Sequence, residues 1–185
     1  MKAIAIDTET FLMTQGMLAP PIVCLTYCDC EEGSKPEIVV ASDKRQMREK
    51  LEHILSGEFR VVGHNIAFDF AVIANAFPQF LKPIFELYRQ DKVQDTGIVD
   101  KMAHIAAGWS KFRPDGKPPK YSLADLAKRN LNIDMGGKKG EDTWRMRYSE
   151  LHATPLSEWP EAAKEYALND AKVTADIGRL QSAYI

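Results

Sequence analysis

An apolar run that stops in paired acids does most to limit what this chain can fold into. Residues 3–10 read Ala-Ile-Ala-Ile-Asp-Thr-Glu-Thr. A short apolar segment bounded by charge predicts a buried strand, with Asp7 and Glu9 at its end. Side chains two apart on a strand project to the same side, so both carboxylates face one spot. Like charges held that close repel, and they raise one another's pKa unless a cation sits between them. The run therefore asks for a sheet whose strand end carries a metal ion.

That strand is expected at residues 2–7, with further strands at 22–27, 37–41 and 60–63; a turn-rich stretch with Gly16, Pro20 and Pro21 separates the first two. Between the third and fourth the period changes. Met47, Leu51, Ile54 and Leu55 recur at helical spacing behind an N-cap at Ser42 or Asp43. A second helix is marked by Phe68, Val72 and Ala76, just after the fourth strand. Strands followed by strand and helix in alternation predict an α/β fold, a mixed sheet covered by helices.

The second half reads as mainly helical. Asp95 or Thr96 caps a helix to about residue 107, and Ser122 caps another carrying Leu123, Leu126 and Leu131. Residues 109–120 and 134–142 read as exposed loops; the second lacks the residue order of a phosphate-binding loop. The last helix is expected over residues 161–183, after Pro160, with Val173, Ile177, Leu180 and Tyr184 as its core-facing stripe. That stripe extends back through Asp170 to Tyr166, four residues and one turn earlier. A carboxylate on the buried side of a helix is costly unless it is paired or holds a cation.

Length and composition set the outer limits. A chain of 185 residues, 45% hydrophobic and 27% charged, fits one domain spanning residues 1–185 and argues against disorder. No apolar run approaches the roughly 20 residues that cross a bilayer, and no signal-peptide pattern opens the chain. A cytoplasmic location without membrane partners is expected. Residues 111–147 hold ten Lys and Arg against five Asp and Glu in a chain of net charge -2, an asymmetry suited to a phosphate-bearing ligand. Three cysteines, Cys24, Cys28 and Cys30, are too few and too clustered for a disulfide framework or a zinc site. Their even spacing puts them on one strand face, as small hydrophobes.

Three patches then fall into order: Asp-x-Glu at a strand end (Asp7, Glu9), Asn-x-x-Phe-Asp at a strand-to-helix junction (Asn65, Phe68, Asp69), and Tyr-x-x-x-Asp in the last helix (Tyr166, Asp170). In this order they resemble the three motifs of the DnaQ-like, or DEDDy, 3′-to-5′ exonucleases. The chain is similar in particular to the proofreading exonuclease domain of family A DNA polymerases of the bacteriophage type. The resemblance spans residues 4–180 and includes the Tyr-Ser-Leu-Ala-Asp-Leu-Ala and Asp-Thr-Trp-Arg-Met-Arg-Tyr stretches.

The resemblance implies a ribonuclease H-like fold and two divalent cations, Mg²⁺ or Mn²⁺, held by Asp7, Glu9, Asp69 and Asp170. Asp7 would bridge the ions, Glu9 and Asp170 would complete the site of the attacking water, and Asp69 would support the second ion, partly through water. Tyr166 would orient the water, as a histidine does in the sister group; Glu165, five residues before Asp170, is not a histidine. Asn65 and Phe68 would contact the terminal nucleotide, Thr10, Phe11 and Leu12 would wedge the end bases apart, and His64 would lie near phosphate or serve structurally. Asp95 corresponds to a family acid outside the metal shell. The implied activity is release of nucleoside 5′-monophosphates from single-stranded or frayed 3′ DNA ends in proofreading, with a DNA polymerase domain or subunit as partner. Two rivals are an RNA-trimming enzyme of the ribonuclease D type and a catalytically silent DNA-binding module.

Overall fold

The N-terminal strand forms the middle of a five-stranded sheet in the computed structural model, which describes residues 1–108, 119–136 and 143–183. The strands are β1 (Ala3–Thr10), β2 (Ile22–Asp29), β3 (Glu37–Val40), β4 (Arg60–Gly63) and β5 (Val93–Asp95), in the order β3-β2-β1-β4-β5. β1, β2 and β3 are joined antiparallel, whereas β4 and β5 run parallel to β1. Parallel neighbours need crossovers. α1 (Lys44–Ile54) supplies the one before β4, and α2 (Ile66–Ala76) with α3 (Leu81–Arg89) supply the one before β5. The remaining helices are α4 (Thr96–Ala106), a short α5 (Leu123–Leu126) that runs into a π turn over Ala127–Leu131, and the long α6 (Glu161–Gln181).

The two faces of the sheet are packed differently. Ile4 and Ile6 of β1 enter a large cluster with Met47, Leu51 and Ile54 of α1, Phe70 and Ile73 of α2, and Ile84 and Leu87 of α3. Each such side chain contributes about 1.5–3 kcal/mol when fully buried, so this face carries much of the stability. On the opposite face Ala5, Cys28, Val62 and Ala175 form a small cluster under α6. α6 buries Ala163, Ala167, Ala171, Ala175 and Gly178. A Cβ on Gly178 would stand 2.7 Å from Val62 Cγ1, so the helix lies close against the strands.

Several expectations change in detail. β1 continues to Thr10, because its antiparallel register with β2 continues past both acids, Asp7 opposite Thr26 and Glu9 opposite Cys24. Asp7 and Glu9 thus lie within the strand rather than at its end. Val173 and Ile177 of the expected stripe are buried, packed with Leu126 and Ala127, but Leu180 is 40% exposed, and the α6 residues facing the sheet most closely are alanines and Gly178. β5 and α3 were not foreseen: β5 has three residues, and α3 carries Pro83, which a first helical turn tolerates. The three cysteines are free, as expected: Cys24 packs with Tyr148 and Trp159, while Cys28 and Cys30, the latter just past the end of β2, join the small cluster of Ala5, Val62 and Ala175. Residues 109–118 and 137–142, most of both expected loops and much of the basic segment, lie outside the described residues, as does Tyr184.

Candidate active site

Three carboxylates from distant parts of the chain converge on the α6 face. Asp7 and Glu9 project from β1 toward α6, and Asp170 comes from α6 itself. Each offers an oxygen within 4.8 Å of the others. Glu9 is only 8% exposed, and Asp7 and Asp170 are half-buried. Hard carboxylate oxygens gathered in one spot, partly removed from water, suit a hard divalent cation, which offsets their mutual repulsion.

Tyr166 stands one helical turn before Asp170. Burial foremost, and then the Asp170 and Glu9 carboxylates, push its phenol well above the ordinary tyrosine range. The group therefore stays neutral at working pH and can donate a hydrogen bond. Its ring lies 6.1 Å from that of Tyr148. Tyr148 is buried and donates its hydroxyl to the Ala163 carbonyl at 2.8 Å, tying residues 143–151 to α6. Trp144 and Trp159 flank Tyr148, and the Arg147 guanidinium sits 4.7 Å from the Trp144 ring. This aromatic wall carried no assigned role in the sequence. Its one signal was the Trp-x-x-x-Tyr spacing. Beside it, Trp144, Tyr166, Asn169, Asp170 and Lys172 line an open cleft of about 760 Å³, a size that admits a nucleotide.

Asp69 lies apart from the trio. It is buried in the first turn of α2, where its Oδ1 accepts from the Thr8 backbone N–H at 2.9 Å and the Thr8 hydroxyl at 2.7 Å. Thr8 alternates with Asp7 and Glu9 and so projects to the opposite side of β1. Burial pushes the Asp69 carboxyl up to about 7, against the lowering effect of the Thr8 hydrogen bonds.

The expected substrate contacts divide in the same way. The β1 register with β2 slips between Glu9 and Thr10, a bulge of the kind that re-aims a strand beside a site. Thr10 then donates its hydroxyl to the Phe11 carbonyl. The Phe11 ring packs edge-on to His152 with centroids 5.1 Å apart. Leu12 is 47% exposed. Asn65 is exposed and left-handed, at φ 62° and ψ 44°. Asparagine tolerates that conformation better than most residues, although it still costs about 1–2 kcal/mol. His64 Nδ1 is 3.0 Å from Thr96 Oγ1, and Phe68 packs partly against the main core. Asp95 caps α4, as its position in the sequence suggested.

Comparison with known proteins agrees with this arrangement. A family model of the DNA polymerase A type, described as 3′-5′ exonuclease, matches residues 1–179. The chain belongs to this 3′-5′ exonuclease family. Among solved structures, the exonuclease is similar to the EXO domain of Nibbler from Aedes aegypti, with a TM-score of 0.61 at 11% identity. That match covers 99% of this chain and 81% of that one. At that identity the likeness speaks for the fold, a ribonuclease H-like α/β sheet. No curated protein matches the sequence. As a member of the family, this exonuclease is a nuclease acting on nucleic acid. Exonuclease domains of the family use divalent metal ions, which the carboxylate trio suits. Among the described residues, no helix is long and apolar enough to cross a membrane.

Proposed function

We propose that this exonuclease, a single domain over residues 1–185, removes nucleotides from the 3′ end of single-stranded or frayed DNA, as a proofreading activity does. The observation that carries the reading is the convergence of Asp7, Glu9 and Asp170 with the neutral phenol of Tyr166 beside them. A catalytically silent binding module has no use for so costly a cluster.

Asp7, Glu9 and Asp170 would hold the divalent metal, and Asp69, whose Oδ1 accepts from Thr8, would contribute from farther out through water. When bound, such cations supply the charge that phosphodiester cleavage needs at both the attacking and the leaving oxygen. The side chains do the positioning. Tyr166 donates its hydroxyl proton in a hydrogen bond to the attacking water, while Glu9 accepts from that water and fixes its direction. Asn65, Phe68 and the wedge of Thr10, Phe11 and Leu12 hold the last nucleotide with its phosphorus in line. Water attack breaks the bond from phosphorus to the 3′ oxygen. The water oxygen leaves on the nucleoside 5′-monophosphate, and the shortened strand keeps a 3′ hydroxyl.

Digestion of 5′-labelled DNA and RNA oligonucleotides of one sequence, with Mg²⁺ or Mn²⁺ and with or without chelator, tests the reading. A metal-dependent ladder shortening from the 3′ end of DNA is expected, faster at a mispaired terminus than at a matched one. Faster trimming of the RNA would move the substrate to the ribonuclease D class, since discrimination depends on how the 2′-hydroxyl is received. Binding without any ladder would leave only a binding module.

A further inference from the structure

The first residues of α2 carry both Asn65 and Asp69, yet this helix lacks the usual cap. Asn65 occupies the N-cap position without capping through its side chain. Helix starts leave backbone N–H groups without partners inside the helix. For Ile66 the partner comes from another strand: its N–H donates to Asp95 Oδ2 at 3.1 Å. The other oxygen, Asp95 Oδ1, accepts from Gly97 N at 2.9 Å and Ile98 N at 3.1 Å, the ordinary cap of α4. A second tie lies on the other side of Asn65, where His64 Nδ1 meets Thr96 Oγ1 at 3.0 Å. The junction is tight. A Cβ on Gly63 would fall 2.8 Å from Ile66 Cβ, and one on Gly97 would fall 3.3 Å from both Asp95 Oδ1 and His64 Cε1.

We propose that Asp95 is a positioning residue of the exonuclease site, whose carboxylate spans two chain segments to hold the backbone that presents Asn65 in its left-handed conformation. Only a carboxylate meets both demands. One oxygen caps α4, and the other faces the N–H that follows Asn65. An amide side chain offers one acceptor and turns a donor toward the second site. A serine caps α4 well but is too short to reach Ile66. The inference rests on the proposed role of Asn65 in gripping the terminal nucleotide.

Those chemical differences define the test. Asp95→Ser retains the cap and loses the tie to Ile66; Asp95→Asn serves as a second variant if serine proves unstable. The full chain is compared by amide hydrogen exchange and by fluorescence anisotropy with a labelled single-stranded DNA oligonucleotide in Ca²⁺. Asp95→Ser should speed exchange at Ile66 about tenfold or more while Ile98 stays protected, and should weaken oligonucleotide binding about tenfold. Asn65→Ala should weaken binding to a similar degree. The double variant should be no weaker than either single one, because both changes remove the same contact. Unchanged exchange at Ile66 overturns the inference whatever the enzyme does. So does additive loss in the double variant, which would mean that Asp95 acts independently of Asn65. Failure of the wild type to bind or digest any oligonucleotide sinks the functional reading instead, and the exchange measurement distinguishes the two failures.

Discussion

Gly178 is the point where the placement of Asp170 can be tested through stability. Gly178→Ala adds one methyl group at a position 2.7 Å from Val62 Cγ1. Ordinary carbon contacts lie at about 3.5–4.0 Å, so the pair is short by roughly 0.8 Å. Val62 has no room to yield. It is fully buried in β4, and a β-branched side chain is stiff. Overpacking of this kind costs about 1–3 kcal/mol. Replacing a helical glycine by alanine gains up to about 1 kcal/mol in propensity, Gly178 lying in the last turn of α6. The two effects oppose, leaving a net loss of about 0–2 kcal/mol, or a fall in Tm of up to roughly 8 °C for a chain of this size. Val62→Ala removes the colliding methyl groups, and in that background Gly178→Ala should gain the full propensity term of about 1 kcal/mol. Urea unfolding of the two single variants and the double variant, with chelator present, should therefore give a coupling of about 1–3 kcal/mol. Equal stabilisation by about 1 kcal/mol in both backgrounds would refute the close approach, and with it the reason that α6 can bring Asp170 to β1.

Asp7→Ala should lower hydrolysis at least about a thousandfold, the scale on which losing one member of a catalytic unit acts. In chelator its urea midpoint should equal or exceed the wild type's, since one repelling charge has gone from the cluster. Tyr166→Phe should slow kcat by only about ten- to a hundredfold, with little change in KM, because the hydroxyl orients water while the carboxylates stay in place. Burial pushes the Asp69 carboxyl up to about 7 from an ordinary value of 3.8, so the folded state binds more protons than the unfolded chain between those limits. In chelator, stability should fall as pH rises from about 4 to 7, and Asp69→Asn should flatten that slope in urea titrations at fixed pH.

What could be read from the sequence was local. The pairing of Asp7 with Glu9 on one side of a strand follows from a two-residue period, and that of Tyr166 with Asp170 from a four-residue turn. The Asp95 cap was visible because capping chemistry acts within three residues. What escaped depends on distances between elements. Nothing in the spacing of Ala163, Ala167, Ala171 and Gly178 says that a sheet lies close enough to prefer them to Leu180; the β4 surface decides that. The aromatic wall of Trp144, Tyr148 and Trp159 is built on short 3₁₀ turns that follow neither the helical nor the strand period. The tie from Asp69 to Thr8 joins residues 61 positions apart, and local pattern holds no record of it.

That tie also explains why the site sits where it does. β4 accompanies β1 only from Ala3 to Ala5, so beyond that point one edge of β1 has no strand beside it. An unpaired N–H there would be expensive to bury. Asp69 satisfies the N–H of Thr8, which lies between Asp7 and Glu9. The parallel strands β1, β4 and β5 all run out on the same side of the sheet, where open α/β folds bind their ligands. Asp7 and Glu9 lie in the second half of β1, His64 and Asn65 follow β4, and Asp95 ends β5. Side chains supply the missing hydrogen bonds here: Asp69 takes the N–H of Thr8 where β1 has no strand beside it, and Asp95 takes the N–H of Ile66 at the start of α2.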